Sequence, residues 1–169
     1  MNSRPFRAAL LATAAALIWF QTASPGLARP ANPPRGPAAQ APSSTGSMTE
    51  IRALFADYLK LHAAKKMDEW QSRMFLPEAI CVRTSGDGKV TVFPVAELAQ
   101  AISDEAKNFE EQHETLEDAR IEIYGNAAHY AASWTLFQNN KQAAKGRAFF
   151  SLVRKEGAWK IAALVWYTE

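Results

Sequence analysis

The sequence predicts an α+β fold in which helices and two early strands precede an antiparallel meander. Three observations support this class. Apolar residues recur at helical spacing from residue 51 to residue 62. Apolar and polar residues alternate in ARIEIYG, at 119–125, as they do in a half-buried strand. Near the end of the chain, two apolar runs flank the charged turn Lys155-Glu156-Gly157, which is typical of a hairpin.

The first predicted helix begins at a capping box and ends at about Ala64. Ser47 is the expected N-cap, and the Glu50 side chain is expected to reach back to it. The apolar face of this helix consists of Ile51, Leu54, Phe55, Tyr58, Leu59 and His62. We therefore expect this face to pack against a sheet.

Two shorter helices are predicted after it. The second is ended by Pro77, and its apolar positions are Met67, Trp70, Met74 and Phe75. The third has Pro94 in its first turn, where the missing N–H costs nothing, and buries Val95, Leu98, Ile102 and Phe109. The acidic stretch at 104–118 is interpreted as a solvated helix face that leads into a loop.

Six strands are predicted around and after these helices. Two early strands are AICVRTS at 79–85 and VTVF at 90–93, separated by a glycine-containing turn. The meander consists of 119–125, 129–138 and the two apolar runs of 146–169. The stretch NNKQAAKG, at 139–146, is expected to form a longer hairpin loop within it.

The N-terminal segment has the features of a signal peptide, predicted for residues 1–28. Arg4 and Arg7 precede an apolar run at 8–20 that is too short for an ordinary membrane span. Small residues at Gly26 and Ala28 suit a signal peptidase. The expected location is periplasmic or secreted; the alternative is a retained anchor in the inner membrane.

A Pro/Ala/Ser-rich stretch at 29–47 is interpreted as a disordered linker, because it cannot bury enough apolar surface to fold. It leaves one domain, 48–169, with room for a sizeable core. The chain has 19 basic and 17 acidic residues, and loss of Arg4 and Arg7 with the signal peptide leaves it near neutral. No Lys or Arg run is interleaved with aromatic residues, so no nucleic-acid partner is expected.

Metal, disulfide and cofactor chemistry are not indicated. Cys81 is the single cysteine and has apolar neighbours, so we interpret it as a small core residue. The three histidines, His62, His113 and His129, show no metal-ligand spacing. We therefore predict neither a metal site nor a cofactor.

Four segments in a characteristic order give the chain a resemblance to a known superfamily. They are residues 51–70, 75–82, 121–134 and, most specifically, GRAFFSLVRKEGAWKI at 146–161. Over 49–169 the chain resembles the nuclear transport factor 2-like superfamily, also called the cystatin-like, SnoaL-like or ketosteroid isomerase-like cone. The resemblance implies a curved, mixed but mainly antiparallel sheet wrapped around three helices, with a conical cavity. Its members include isomerases, cyclases, dehydratases, hydrolases and non-catalytic binding modules, so the fold does not define the function.

The resemblance also suggests which residues to compare. Tyr58 falls where ketosteroid isomerase-like members have an oxyanion donor, and Ser151 roughly where they have a second donor. Arg83 falls where they have a general-base aspartate, and an arginine, always charged, cannot accept a proton. Ala163 and Val165 stand where SnoaL-like cyclases often place histidines. We therefore assign no catalytic residue, and the last strand is expected to form an apolar wall.

The candidate pocket residues are Tyr58, His62, Arg83, Ser151 and Val165. Alternatives remain for three of them: Tyr58 as a buried core aromatic, His62 as a helix-end residue, and Arg83 in a structural ion pair rather than holding a carboxylate or phosphate. The first functional hypothesis is an exported protein that binds a small hydrophobic molecule or serves as an interaction module. The alternatives are an isomerase, dehydratase or cyclase acting on such a molecule, and a membrane-anchored assembly component.

A homodimer is also predicted, from alternation in the last two strands. If Ser151 faces the cone, the outer side carries Phe150, Leu152, Leu164 and Trp166. An exposed apolar face of this kind usually marks an association surface. We expect Trp166 near the centre of the interface.

Overall fold

The computed structural model describes residues 44–169, which lie within one compact unit. The predicted signal peptide, 1–28, and the linker as far as residue 43 lie outside the described residues. Within the described range, no helix combines the length and the apolar character that a membrane crossing requires.

Three helices and six strands form the domain. In chain order they are α1 (Ser44–Ala63), α2 (Met67–Met74), β1 (Phe75–Thr84), β2 (Val90–Pro94), α3 (Val95–Ala106), β3 (Gln112–Tyr124), β4 (Ala127–Gln138), β5 (Lys141–Lys155) and β6 (Ala158–Thr168). The strands form one curved, open sheet in the order β2-β1-β6-β5-β4-β3. Only β1 and β6 pair in parallel; the other neighbours are antiparallel. The predicted α+β class with a mixed, mainly antiparallel sheet is confirmed.

The core lies between the concave face of the sheet and the helices. Phe55 of α1 stacks on Tyr130 of β4, with ring centroids 3.6 Å apart, and meets Phe150 of β5 edge-on. Trp70 of α2 is fully buried against Phe75 at the start of β1. Because these aromatic side chains bury large apolar areas, they hold α1 and α2 against the sheet.

The predicted capping box is wrong, because α1 begins at Ser44, three residues before the expected N-cap. Ser47 is buried inside the helix, and its hydroxyl accepts a hydrogen bond from Arg154. The Glu50 carboxylate pairs with Arg154 and accepts a hydrogen bond from the Trp159 indole N–H. These side chains therefore join α1 to the β5–β6 hairpin instead of capping the helix.

Two other predicted boundaries differ from the structure. The second helix ends at Met74, and Phe75 and Pro77 already belong to β1. The predicted loop at 139–146 is a two-residue turn, Asn139-Asn140, followed at once by β5. Both asparagines have positive φ, 48° and 61°, which suits the twist of a tight hairpin.

The acidic stretch at 104–118 is not a helix face leading into a loop, since β3 already begins at Gln112. Its pairing with β4 shifts register between Glu117 and Arg120, where Asp118 has a φ of 52°. Such a bulge changes which residues face the core. Before it, Gln112 and other even-numbered residues face inward; after it, the odd-numbered isoleucines of ARIEIY do.

The two faces of the final strands are exchanged relative to the prediction. Phe150, Leu152 and Leu164 are buried on the concave side, with Phe150 only 1% exposed. Ser151 pairs with Ala163 on the opposite, convex side. The face with Phe150, Leu152 and Leu164 carries the larger apolar side chains, and it packs under the helices because it buries more apolar surface there. The predicted dimer interface of Phe150, Leu152, Leu164 and Trp166 is therefore wrong.

Candidate functional site

A cavity of about 140 Å³ lies between the helices and the concave face of the sheet. Its walls are apolar and consist mainly of Leu98, Ile102, Trp134, Leu136, Phe150, Leu164 and Trp166. They come from α3 and from β4, β5 and β6. Below, this cavity is called the cone pocket.

One end of the cone pocket is polar. Tyr58 and His62, one helical turn apart on α1, face Gln112 and Glu114 on β3. The Tyr58 hydroxyl lies 3.5 Å from Glu114 Oε2, to which it donates a long hydrogen bond. Burial raises the pKa of Glu114 to about 7, although the hydrogen bond from Tyr58 acts in the opposite direction. Burial, followed by the nearby Glu114 carboxylate, raises the pKa of Tyr58 well above its usual value.

His62 is held as a neutral imidazole. Its side chain is 4% exposed, and burial, with His113 nearby, lowers its pKa to about 4. Its Nδ1 atom has no hydrogen-bond partner. The imidazole forms no hydrogen bond with any described residue. Buried polar groups normally have partners. The polar end of the cone pocket therefore keeps an unused hydrogen-bonding group.

The rim next to this end is braced by side-chain hydrogen bonds. Gln138 Nε2 donates to Glu105 Oε1 at 2.8 Å and to Gln112 Oε1 at 3.3 Å, which joins α3 to β3. Lys65, just after α1, donates to the carbonyl groups of Ala106, at 3.1 Å, and of Phe109, at 2.6 Å. These contacts set the position of the loop that leads from α3 into β3 and so to Glu114.

The Trp134 wall depends on a glycine. Its indole Nε1 donates to the Tyr167 carbonyl at 3.2 Å, across Gly146 of β5. A Cβ atom at Gly146 would lie 1.9 Å from that oxygen and 3.1 Å from Trp134 Nε1. Only glycine leaves room for this approach.

The structure brings together two of the five predicted pocket residues, Tyr58 and His62. Ser151 and Val165 lie on the convex face, where Val165 is 37% exposed. Arg83 is exposed outside the cone pocket and forms no ion pair with a described residue. In their place, Phe150, Leu164 and Trp166 of the predicted dimer face line the cone pocket.

Glu114 is the main functional candidate that the sequence reading missed. Residues 112–116 show no alternation of apolar and polar side chains, so the sequence carries no strand signal there. Extending the pattern of ARIEIY backwards would also have placed Glu114 outside, because the bulge at 117–120 reverses the alternation.

Cys81 is fully buried, as predicted, and burial raises the pKa of its thiol to about 12. It is therefore an inert core residue at neutral pH. Among residues 44–169, no group of three or more His, Cys, Asp and Glu side chains is placed to hold a metal ion.

The SnoaL-like domain family matches residues 44–165. No curated protein matches the chain significantly. Among solved structures, a nuclear transport factor 2-like protein of unknown function from Shewanella baltica is 20% identical, covers 75% of this chain and 97% of its own, and has a TM-score of 0.60.

Two other solved structures show the same fold at lower identity. A protein of unknown function from Mycobacterium tuberculosis is 18% identical, with coverage of 74% of this chain and 77% of its own and a TM-score of 0.62. A Streptomyces avermitilis protein that carries the provisional name of a dehydratase is 10% identical. It covers 75% of this chain and 99% of its own, and has a TM-score of 0.61. With a family match over most of its length and these neighbours, the chain belongs to the SnoaL-like domain family of the nuclear transport factor 2-like superfamily.

Proposed function

We propose that the protein binds a small, largely apolar molecule in the cone pocket. The observation that carries this proposal is the pocket itself: apolar walls with a few polar groups gathered at one end. Small-molecule sites have this composition, since apolar walls supply affinity and placed polar groups supply orientation. An apolar cavity of roughly 150 Å³ accommodates benzene. The cone pocket, at about 140 Å³, therefore suits one ring with a short polar substituent.

Binding of benzyl alcohol, followed by tryptophan fluorescence or calorimetry, tests this proposal. Trp134 and Trp166 line the cone pocket, so a bound ring is expected to change their emission. Ala148 also lines it, and Ala148→Leu is expected to fill the space and abolish binding. Ala131→Leu, on the convex face of β4, is the matched control and is expected to bind normally. Equal binding by wild type and Ala148→Leu would contradict the proposal, as would failure of wild type to bind any small aromatic probe of this size.

A second candidate function is proton transfer on the bound molecule, as in an isomerase or dehydratase. Glu114 favours it, because a carboxyl with a pKa of about 7 is suited to take and return a proton at neutral pH. It would supply the base that Arg83 cannot be. The carboxylate would remove a proton from the carbon next to a carbonyl, while Tyr58 donates its hydroxyl hydrogen bond to the oxygen.

Exchange of C–H protons for deuterium tests this second function without a known substrate. Phenylacetone in D₂O is expected to lose its proton signals next to the carbonyl faster with wild type than with Glu114→Gln. Glu122→Gln, on an exposed position of the same strand, serves as the control. Equal exchange rates with all three proteins would contradict the proton-transfer function and would leave the proposed ligand binding unaffected.

We further propose that the protein is exported and that its mature chain begins at Arg29. The basic start at Arg4 and Arg7, the apolar run and the small residues before Arg29 support this. Intact mass of the protein from periplasmic extract is the measurement. A chain that keeps Met1 and sediments with membranes would favour the anchored assembly component instead.

A further inference from the structure

The charged groups of the cone pocket are all of one sign. Two glutamates line it: Glu114 at the polar end and Glu105 at the rim. No lysine or arginine is among its lining residues in the described chain. His62 contributes no positive charge at neutral pH, because burial holds its pKa near 4. An anionic ligand would therefore meet carboxylates with nothing to pair with it.

The unused hydrogen-bonding groups at the polar end include acceptors. Glu114 Oε2 receives a long hydrogen bond from Tyr58, whereas Oε1 receives none from a described residue. His62 is more than nine-tenths buried, lines the cone pocket and has no side-chain partner. A neutral imidazole has one nitrogen that accepts a hydrogen bond. A ligand group that donates hydrogen bonds is complementary to these acceptor atoms.

The apolar walls suit a positive charge as well. Four aromatic side chains line the cone pocket: Tyr58, Trp134, Phe150 and Trp166. Aromatic faces attract cations, and the attraction is strongest for tryptophan and in desolvated sites. An alkyl or aryl ammonium ion combines three N–H donors, a positive charge and an apolar body.

We propose that the ligand of the cone pocket is a small organic ammonium ion, whose N–H groups donate to Glu114 and His62 and whose apolar body lies between Trp134 and Trp166. This inference rests on the proposed function, since it names the class of molecule bound there. When the ammonium ion binds, Glu114 is the only lining residue of the described chain that has to lose a proton.

Binding of such a cation is linked to protonation of Glu114. The ammonium ion pairs with the carboxylate, so below a pH of about 7 each binding event displaces the proton that burial keeps on Glu114. Affinity is therefore expected to fall as pH drops through 7 and to level off above it. The other titratable groups close to this site are Tyr58 and His62 of α1, Glu105 of α3, Cys81 of β1, His113 of β3 and Tyr130 of β4.

Three probes of equal size separate the ligand classes: benzylamine, benzyl alcohol and benzoate. Calorimetry at pH 8 is expected to give an affinity for benzylamine about tenfold above that for benzyl alcohol, and no binding of benzoate. Glu114→Gln is expected to remove the tenfold advantage of the amine over the alcohol. Glu122→Gln, exposed on the same strand, is expected to behave as wild type.

A measurement on wild type alone covers the case in which Glu114→Gln does not fold. Titrations with benzylamine at pH 6 in two buffers of different ionisation enthalpy report the protons released. We expect release of close to one proton at pH 6 and of almost none at pH 8.5, since most of the benzylamine is protonated at both pH values.

The outcomes distinguish this inference from the proposed function. If the alcohol or benzoate binds as tightly as the amine, or if no proton is released at pH 6, the ammonium inference is overturned and a pocket for apolar molecules remains. If none of the three probes binds, the proposed function fails and the inference fails with it.

Discussion

Glu114 shows how one residue can determine the character of a site. Its carboxyl lies at the end of an apolar pocket, with Tyr58 as its hydrogen-bond donor and no basic side chain among the lining residues of the described chain. Because burial disfavours the charged form, this group titrates near neutral pH instead of near its ordinary value. A local irregularity of β3 is what turns it inward.

The free energy of unfolding is expected to show this shift. A carboxyl whose pKa is raised from 4.5 to about 7 on folding favours the folded state below pH 4.5, and this advantage is lost as pH rises to 7. Glu114→Gln should therefore gain stability relative to wild type between pH 4.5 and 8, by up to about 3 kcal/mol. Urea denaturation at both pH values measures the difference.

The comparison between variants is needed because His62 has the opposite effect. Its pKa falls on folding from 6.5 to about 4, so it lowers stability as pH drops through that interval. Subtracting the free energy of unfolding of wild type from that of Glu114→Gln cancels the contribution of His62, which is present in both proteins. Glu122→Gln should show no pH-dependent gain; a gain equal to that of Glu114→Gln would contradict the assignment.

At the scale of elements, close contacts between strands shape the cone pocket. β5 passes beneath Trp134 at Gly146, and the Tyr167 carbonyl of β6 lies on its other side. The indole can bond to β6 only because no side chain intervenes. β4, which carries Trp134, and β5 and β6 supply most of the apolar wall of the cone pocket. The close approach at Gly146 and the shape of the cone pocket therefore depend on each other.

Gly146→Ala is expected to destabilise the domain by about 1–3 kcal/mol, because the added methyl would overlap the backbone carbonyl of Tyr167. The Trp134 hydrogen bond should break, and probe binding should weaken together with the lower Tm. Thermal unfolding measures the first effect and calorimetry the second.

Gly86→Ala is the matched control for this substitution. Gly86 lies in the β1–β2 turn, and a Cβ atom added there would have no heavy atom within 4 Å. The Tm of this variant should therefore stay within about a degree or two of wild type. If both glycine variants unfold at the same temperature, the close approach at Gly146 has no structural importance.

For the whole molecule, the convex face of the sheet is the notable surface. Val82, Val92, Phe149 and Val165 occupy neighbouring positions across β2, β1, β6 and β5. Phe149 is 44% exposed and Val92 62% exposed. All three helices lie on the other side, so no described helix covers this apolar face. Contiguous patches of this kind mark association surfaces.

We therefore still expect a homodimer, formed through this convex face and not through the Trp166 side. A two-fold contact would place the same apolar strip of each copy against the other. Light scattering is expected to give a dimer for the mature domain and a monomer for Val165→Glu. Tyr124→Glu, at the exposed end of β3, should remain dimeric. A monomeric wild type at micromolar concentration would rule the dimer out.

The sequence by itself determined the class of the fold, the presence of three helices and the succession of the strands along the chain, because these follow from local periodicity and from segments shared with a superfamily. It also placed Tyr58 and His62 on one helix face, since residues four apart must share a face. Only the tertiary structure decided which side of the sheet is covered. Side chains alternate between the two faces of a strand, and this alternation does not say which face the helices will cover. One bulge also reverses which residues face the core. For this reason Ser151 and Val165 were expected inside and lie outside, whereas Glu114 lies inside.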